Sequence, residues 1–375
     1  MSSRIGENKM ESQINKVYLP FSITITPIKK LSLVNFDNDP DEIYNSLELQ
    51  YIDGEPYGVG WRVIAYRNDK YVDVYDSKSL TFIKDEAFDV TQKGLNKHVQ
   101  VAMNHIYFEK DRDGIHIGFE FNDIENRVIS VQIDEHNRRS SKYIDLLAPI
   151  GHGSEKPSSL PLFFMYKFDF VRKAGTNLSI QIDGKKRTPD KFPAPMPKEM
   201  QFRYFTRYSM DCQIIEFASA GKRILEQYEF TKEHKIIFHN TEYELDKKED
   251  RILLNKIIIR DKNHPIQITF SDGIPVYYNE ISSSNKNDIH FESNFIINAG
   301  ASMGTISGKC SFQLKDKIMY YTLIPTEGWS SVPNSLLTRI MLGKNTFFCT
   351  WPKTYKYQLE ININNGESES SWTRI

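Results

Sequence analysis

The chain has little that would commit it to a reaction. Three cysteines, Cys212, Cys310 and Cys349, are scattered through 375 residues. They are too few and too far apart for a disulfide framework or a thiolate zinc site, and read as reduced core thiols. No apolar run approaches the roughly 18 residues of a membrane span. The N-terminal MSSRIGENKMESQINK also lacks the apolar stretch of a secretory leader, so a cytoplasmic protein with no membrane span is expected. An excess of one charge is missing too: 48 Lys and Arg stand against 49 Asp and Glu. Without a net field to draw in a phosphate backbone, nucleic acid is not expected as a partner. The nine histidines contain no H-x-H or H-E-x-x-H pair, and neither a metal nor a cofactor is expected. Alternating strand and helix patterns are absent, which argues against a nucleotide-binding α/β sheet.

What the chain does have is aromatic residues, 20 Tyr and 23 Phe among many Ile and Val, and these favour strands. Asp53-Gly54, Asp113-Gly114, Asp183-Gly184 and Asp272-Gly273 lie between apolar runs, the composition of tight hairpin turns. With Asp113-Gly114 as the turn, Phe108 faces Phe119, Ile106 faces Phe121, Tyr107 faces Glu120 and Asp111 faces His116. With Asp316-Lys317 as the turn, Phe312 faces Tyr321, Leu314 faces Met319 and Cys310 faces Leu323. Both registers collect apolar side chains on one face. Two segments read as helices, a short one after Ser331-Val332-Pro333 carrying Leu336, Leu337, Ile340 and Met341 on one side, and another near Ser219 to Tyr228. Four prolines between Pro189 and Pro197 can neither continue a helix nor join a central strand, which sets a boundary between domains at 1–188 and 198–375. Each half has the length of one β-barrel of eight to ten strands. The expected fold is all-β, two antiparallel barrels packed together with few short helices.

Motifs of chemistry fail on context. Gly300-Ala301-Ser302-Met303-Gly304 matches a nucleophile elbow, but a strand pattern follows it and the last histidine, His290, precedes it. Gly308-Lys309 lacks the first glycine and the Ser/Thr of a phosphate loop, with Met303 and Cys310 in those places. Asp211 and Glu216 lie in the strand-like, otherwise apolar stretch RYSMDCQIIEF. Burial there would raise a carboxyl pKa and suit a general acid. Their odd spacing puts them on opposite faces of one strand.

From Tyr143 to Lys186 the chain reads YIDLLAPIGHGSEKPSSLPLFFMYKFDFVRKAGTNLSIQIDGKK. A strand ending in Asp145-Leu146 precedes a loop rich in proline and glycine, then a tyrosine-bearing strand, then a strand closing on Asp183-Gly184. This order resembles the middle of the tandem lipocalin-like proteins, the group that includes bacterial carotenoid hydratases (hydroxyneurosporene synthases). YIDGEPYGVGWRVIAY at Tyr51 is similar to that family's early Gly-Tyr-Gly hairpin. RTPDKFPAPMPKEMQFRYF stands where the family carries a Trp-Met-Asp-His-Glu-Trp-like segment. The resemblance implies two barrels with an apolar cavity for a lipid or isoprenoid. In such a fold His152 sits in a crossover loop, as a rim contact or as loop surface. Trp61, Tyr166, Tyr204 and Trp329 suit cavity or rim positions, since a ring with a polar handle fits an amphipathic ligand.

Three functions follow. The first is binding of a small hydrophobic molecule. The second is an isomerase, hydratase or cyclase in which Asp211, Glu216 or His152 protonates a polyene. The third is a structural or carbohydrate-binding β-sandwich whose Trp and Tyr stack on sugars.

Overall fold

The computed structural model describes residues 16–83, 89–90, 93–138, 143–151, 154–193, 195, 201–248, 251–278, 289–333 and 336–375. Among these the chain is all-β apart from two short helices, α1 (Leu336–Lys344) and α2 (Thr346–Thr350). The sheets follow from alternation. In the strand Ile289–Asn298, Ser293, Phe295 and Ile297 are buried while His290, Glu292, Asn294 and Ile296 are exposed, because successive side chains of a strand point to opposite faces.

One ten-stranded sheet is built mainly from the first half of the chain. Its strands run in the order Ile144–Ala148, Leu160–Arg172, Arg203–Phe217, Ile28–Asn35, Tyr44–Gly54, Gly58–Arg67, Tyr71–Ser77, Lys93–Val101 and Asp89–Val90, with Ile23–Thr26 also paired to Arg203–Phe217. Arg203–Phe217 lies beyond the proline segment, yet pairs with Leu160–Arg172 and Ile28–Asn35 before it. A five-stranded sheet, Met103–Lys110, Ile115–Asn122, Val128–Glu135, Thr176–Ile182 and Lys185–Arg187, covers one face. Leu47, Leu49, Val63 and Tyr75 of the large sheet pack there against Phe108, Ile117, Phe121 and Ile133 of the small one.

The second ten-stranded sheet is an antiparallel meander. It runs from Gly221–Ile224 through Glu367–Arg374, Tyr355–Asn362, Ile318–Ser330, Thr305–Lys315, Ile289–Asn298, Ile266–Tyr278, Arg251–Ile259 and Thr241–Lys247 to Lys235–Phe238. Its apolar face shares a core with Leu160, Leu162, Phe164, Ile215 and Phe217 of the first sheet. Phe21 sits fully buried in that core, its ring 5.6 Å from both Phe217 and Phe270 and 6.1 Å from Tyr321. A two-stranded ribbon, Lys16–Tyr18 with Gln227–Glu229, lies beside it. Each strand order has two free ends, so no closed barrel forms among the described residues.

The turns divide by local chemistry. Asp316-Lys317 is a two-residue turn with φ of 50° and 64°, and Phe312–Tyr321, Leu314–Met319 and Cys310–Leu323 pair as the sequence predicts. The Asp113-Gly114 turn is wider. Asp111 Oδ1 accepts from the amides of Asp113 and Gly114 at 2.7 and 3.0 Å, so Phe108 faces Ile117 rather than Phe119, and His116 faces Glu109 rather than Asp111. A shift of two residues keeps Phe108 and His116 on their expected faces; past a bulge between Gly118 and Glu120 the shift is three, so Phe121 faces Met103 rather than Ile106 and Glu120 faces Asn104 rather than Tyr107. Asp272-Gly273 is no turn: it lies inside Ile266–Tyr278 at a register break, where Leu254 pairs with Ile274 but Lys256 with Thr269. The segment near Ser219 to Tyr228 is also not a helix. It forms the short strands Gly221–Ile224 and Gln227–Glu229, because sheet edges at Glu367–Arg374 and Lys16–Tyr18 offer backbone partners.

Candidate functional site

Two of the sequence candidates, Tyr166 and Asp211, face each other across neighbouring strands. The structure adds a third residue, His264. Its turn is folded by Asp261, whose Oδ1 accepts from the amides of Asn263 and His264. His264 Nε2 lies 2.8 Å from Asp211 Oδ2, and its ring stacks on Tyr166 with centroids 3.5 Å apart. The Tyr166 hydroxyl donates to the Ala299 carbonyl at 2.8 Å. Burial, together with the carboxylates of Asp145, Asp211 and Asp261, pushes that phenol well up, so it stays protonated. Asp211 Oδ2, His264 Nε2 and the Tyr166 hydroxyl are each turned to a protein partner, and the cluster holds the second sheet onto the strands Leu160–Arg172 and Arg203–Phe217.

The remaining candidates lie apart. Glu216, five positions from Asp211 along one strand, pairs with Pro161 and Thr24 on the opposite face. His152 lies outside the described residues. Its neighbour Gly151 is buried against Trp351, where an added Cβ would come within 2.5 Å of the indole. The Gly151 carbonyl accepts from the Tyr355 hydroxyl at 2.7 Å. Trp61 and Tyr204 flank the sandwich core, Trp61 with its ring 4.8 Å from that of Tyr51. Ser302 is exposed in a turn that leads directly into the strand Thr305–Lys315.

Trp329 has a different setting. Its indole Nε1 donates to the Met303 carbonyl at 2.9 Å, and its ring lies 5.9 Å from Phe348. It forms the floor of a half-open cavity of about 380 Å³ lined also by Pro333, Arg339, Leu342, Gly343 and Cys349. The roof is α1 and α2, joined at Asn345, whose Oδ1 caps α2 by accepting from the Phe347 amide at 3.0 Å. The helix expected after Pro333 is there; among its described side chains Thr338 and Leu342 are buried, 3% and 4% exposed, while Leu336 and Ile340 of the expected apolar face point out, and the side chains of Leu337 and Met341 lie outside the described ones. Apolar periodicity marked a helix face without saying whether that face meets the core. Another cavity, about 400 Å³, opens on the outer face of the second sheet among polar side chains, including Asp272, Glu292, Asn294 and Lys309.

Sequence reasoning missed a row of polar groups on the first sheet, on the face turned from the sandwich core. Arg62 clamps Asp76 through Nε at 2.6 Å and Nη2 at 3.0 Å, and His98 Nε2 approaches the same carboxylate at 2.8 Å. Burial alone would raise Asp76, but the bonds from His98 and Arg62 outweigh it and hold the carboxyl below its ordinary value. Beside them Glu48 accepts from Gln50 Nε2 at 2.6 Å and from the Tyr66 hydroxyl at 2.8 Å. Burial wins there and raises the Glu48 carboxyl, against those bonds and the Arg207 charge. The signal was present in LELQY, where Glu48 and Gln50 alternate with core leucines. Among the described residues no group of three His, Cys, Asp or Glu could hold a metal. Comparison with protein-family models, curated proteins and solved structures returned no match.

Proposed function

We propose that the protein binds a small hydrophobic molecule of the lipid or isoprenoid kind in the cavity between Trp329 and the helices α1 and α2. The observation that carries this reading is the lining itself: Trp329, Pro333, Leu342 and Phe348 supply apolar surface, and Arg339 supplies one cation. That combination suits a chain with an acidic head. The resemblance to tandem lipocalin-like proteins supports the same ligand class, with one change of place. A lipocalin-like unit would carry its ligand inside a barrel, whereas here Phe21 and its aromatic neighbours fill the core shared by the two ten-stranded sheets. The acid-catalysed reading is the weaker one, because Asp211 is engaged by His264 and Glu216 lies on another face, both away from this lining.

The test is titration with a fluorescent fatty acid, read by energy transfer from tryptophan. Saturable binding is expected, with loss of most of the transfer in Trp329→Phe. Gly343 lines the cavity and offers a second handle, since a Cβ added there meets nothing within 4 Å. Gly343→Leu fills the cavity while favouring the helix, so it should fold and bind poorly. Absence of binding to the wild type, or undiminished binding to Gly343→Leu, overturns the proposal.

A further inference from the structure

We infer that the outer face of α1 and α2 docks on an anionic membrane surface, and that this is where the cavity exchanges its ligand; the second half of this statement rests on the binding reading above. Val332, Leu336, Ile340 and Phe347 are 52%, 73%, 44% and 55% exposed. Leu336 and Ile340 are one helical turn apart, the spacing that stacks side chains on one helix face. All four belong to the segment that roofs the cavity, and Trp329, Leu342 and Phe348 lie directly beneath it.

Charge selects the occupant. From Ser330 to Tyr355 the chain has Arg339, Lys344 and Lys353 and no Asp or Glu, although acids balance bases over the whole sequence. An apolar face on a segment whose own charged residues are all cations fits the headgroup region of an anionic bilayer, where the apolar side chains enter the acyl boundary and the cations meet lipid phosphates. A helix of nine residues is far too short to span and lies along the interface.

The experiment is co-sedimentation of the full chain with vesicles of phosphatidylcholine alone and of phosphatidylcholine with about 30% phosphatidylserine, the anionic lipid of the cytoplasmic leaflet. Binding to the second vesicle is expected to be at least ~10-fold tighter, following the two cations Lys344 and Lys353 that the cavity does not use, and to weaken as salt rises. Ile340→Glu and Phe347→Glu, both at exposed positions, should abolish it while leaving fatty-acid binding in solution within about twofold, a change of under ~0.5 kcal/mol. Gly343→Leu should do the reverse, so failure of docking and failure of ligand binding are told apart. No association with anionic vesicles, or association indifferent to Ile340→Glu, overturns the inference. So does a concentration-dependent dimer that Ile340→Glu dissolves, which would make a second copy of the chain the occupant.

Discussion

The imidazole of His264 lies flat on the phenol of Tyr166, ring centroids 3.5 Å apart and planes within 5° of parallel. Asp211 holds the far edge of the imidazole at 2.8 Å, so one turn of the second sheet is fastened to two adjacent strands of the first. The pair sits where a catalytic dyad would be sought, but the geometry is that of a clasp.

The clasp predicts a graded response. His264→Ala removes both the stacking and the polar contact and should lower unfolding free energy by about 1–2 kcal/mol. Asp211→Asn leaves an oxygen for the imidazole N–H to reach, and the site is partly open to water, so a loss below ~1 kcal/mol is expected. Urea denaturation of both variants decides the matter. Equal losses would show that charge, not stacking, fastens the sheets.

Gly151 is a packing glycine. The indole of Trp351 occupies the space a methyl group would need, so Gly151→Ala should destabilise by ~1–3 kcal/mol through overpacking. An unchanged denaturation midpoint would place the Trp351 ring elsewhere.

The buried Glu48 sets a pH dependence. Its pKa is raised in the folded chain by burial, so the folded state holds its proton more tightly than the unfolded state, where the value is about 4.3. Stability from this group is full below that value and is lost as pH rises through the raised one. Glu48→Gln removes the titration. Its stability relative to wild type should therefore climb across that window and fall back as the medium is acidified, as read by denaturation at a series of pH values. A flat difference would mean that Glu48 titrates as an exposed carboxyl.

At the Asp316-Lys317 turn both residues have positive φ, which a side chain resists and glycine does not. Lys317→Gly should stabilise by ~0.5–1 kcal/mol. A loss of stability would assign the lysine side chain a role that outweighs its backbone strain.

Much of the strand architecture was legible because alternation and turn chemistry are local. Phe312, Leu314 and Cys310 found their partners from the turn alone. Phe108 missed its partner by two because the Asp111 carboxylate gathers two amides and widens the loop, a side-chain effect no count of residues contains. The segment after Ser219 became strand because distant edges were waiting for it. Among the candidates, Tyr166 and Asp211 did come together, but His264, drawn from about fifty residues further on, is visible only once the second sheet is seated. The polar row of Arg62, Asp76 and His98 depends on registers between three strands, one of them joined in parallel, and parallel pairing leaves no turn to read.

The strands Leu160–Arg172 and Arg203–Phe217 each contribute to both cores. Phe164 and Ile215 belong to the one beneath the second sheet, and Val171 and Tyr208 to the sandwich. A chain with two such beams in common does not melt in halves: loosening either core strips apolar cover from strands the other still needs. Calorimetry should see a single cooperative transition, with the whole chain as the unfolding unit.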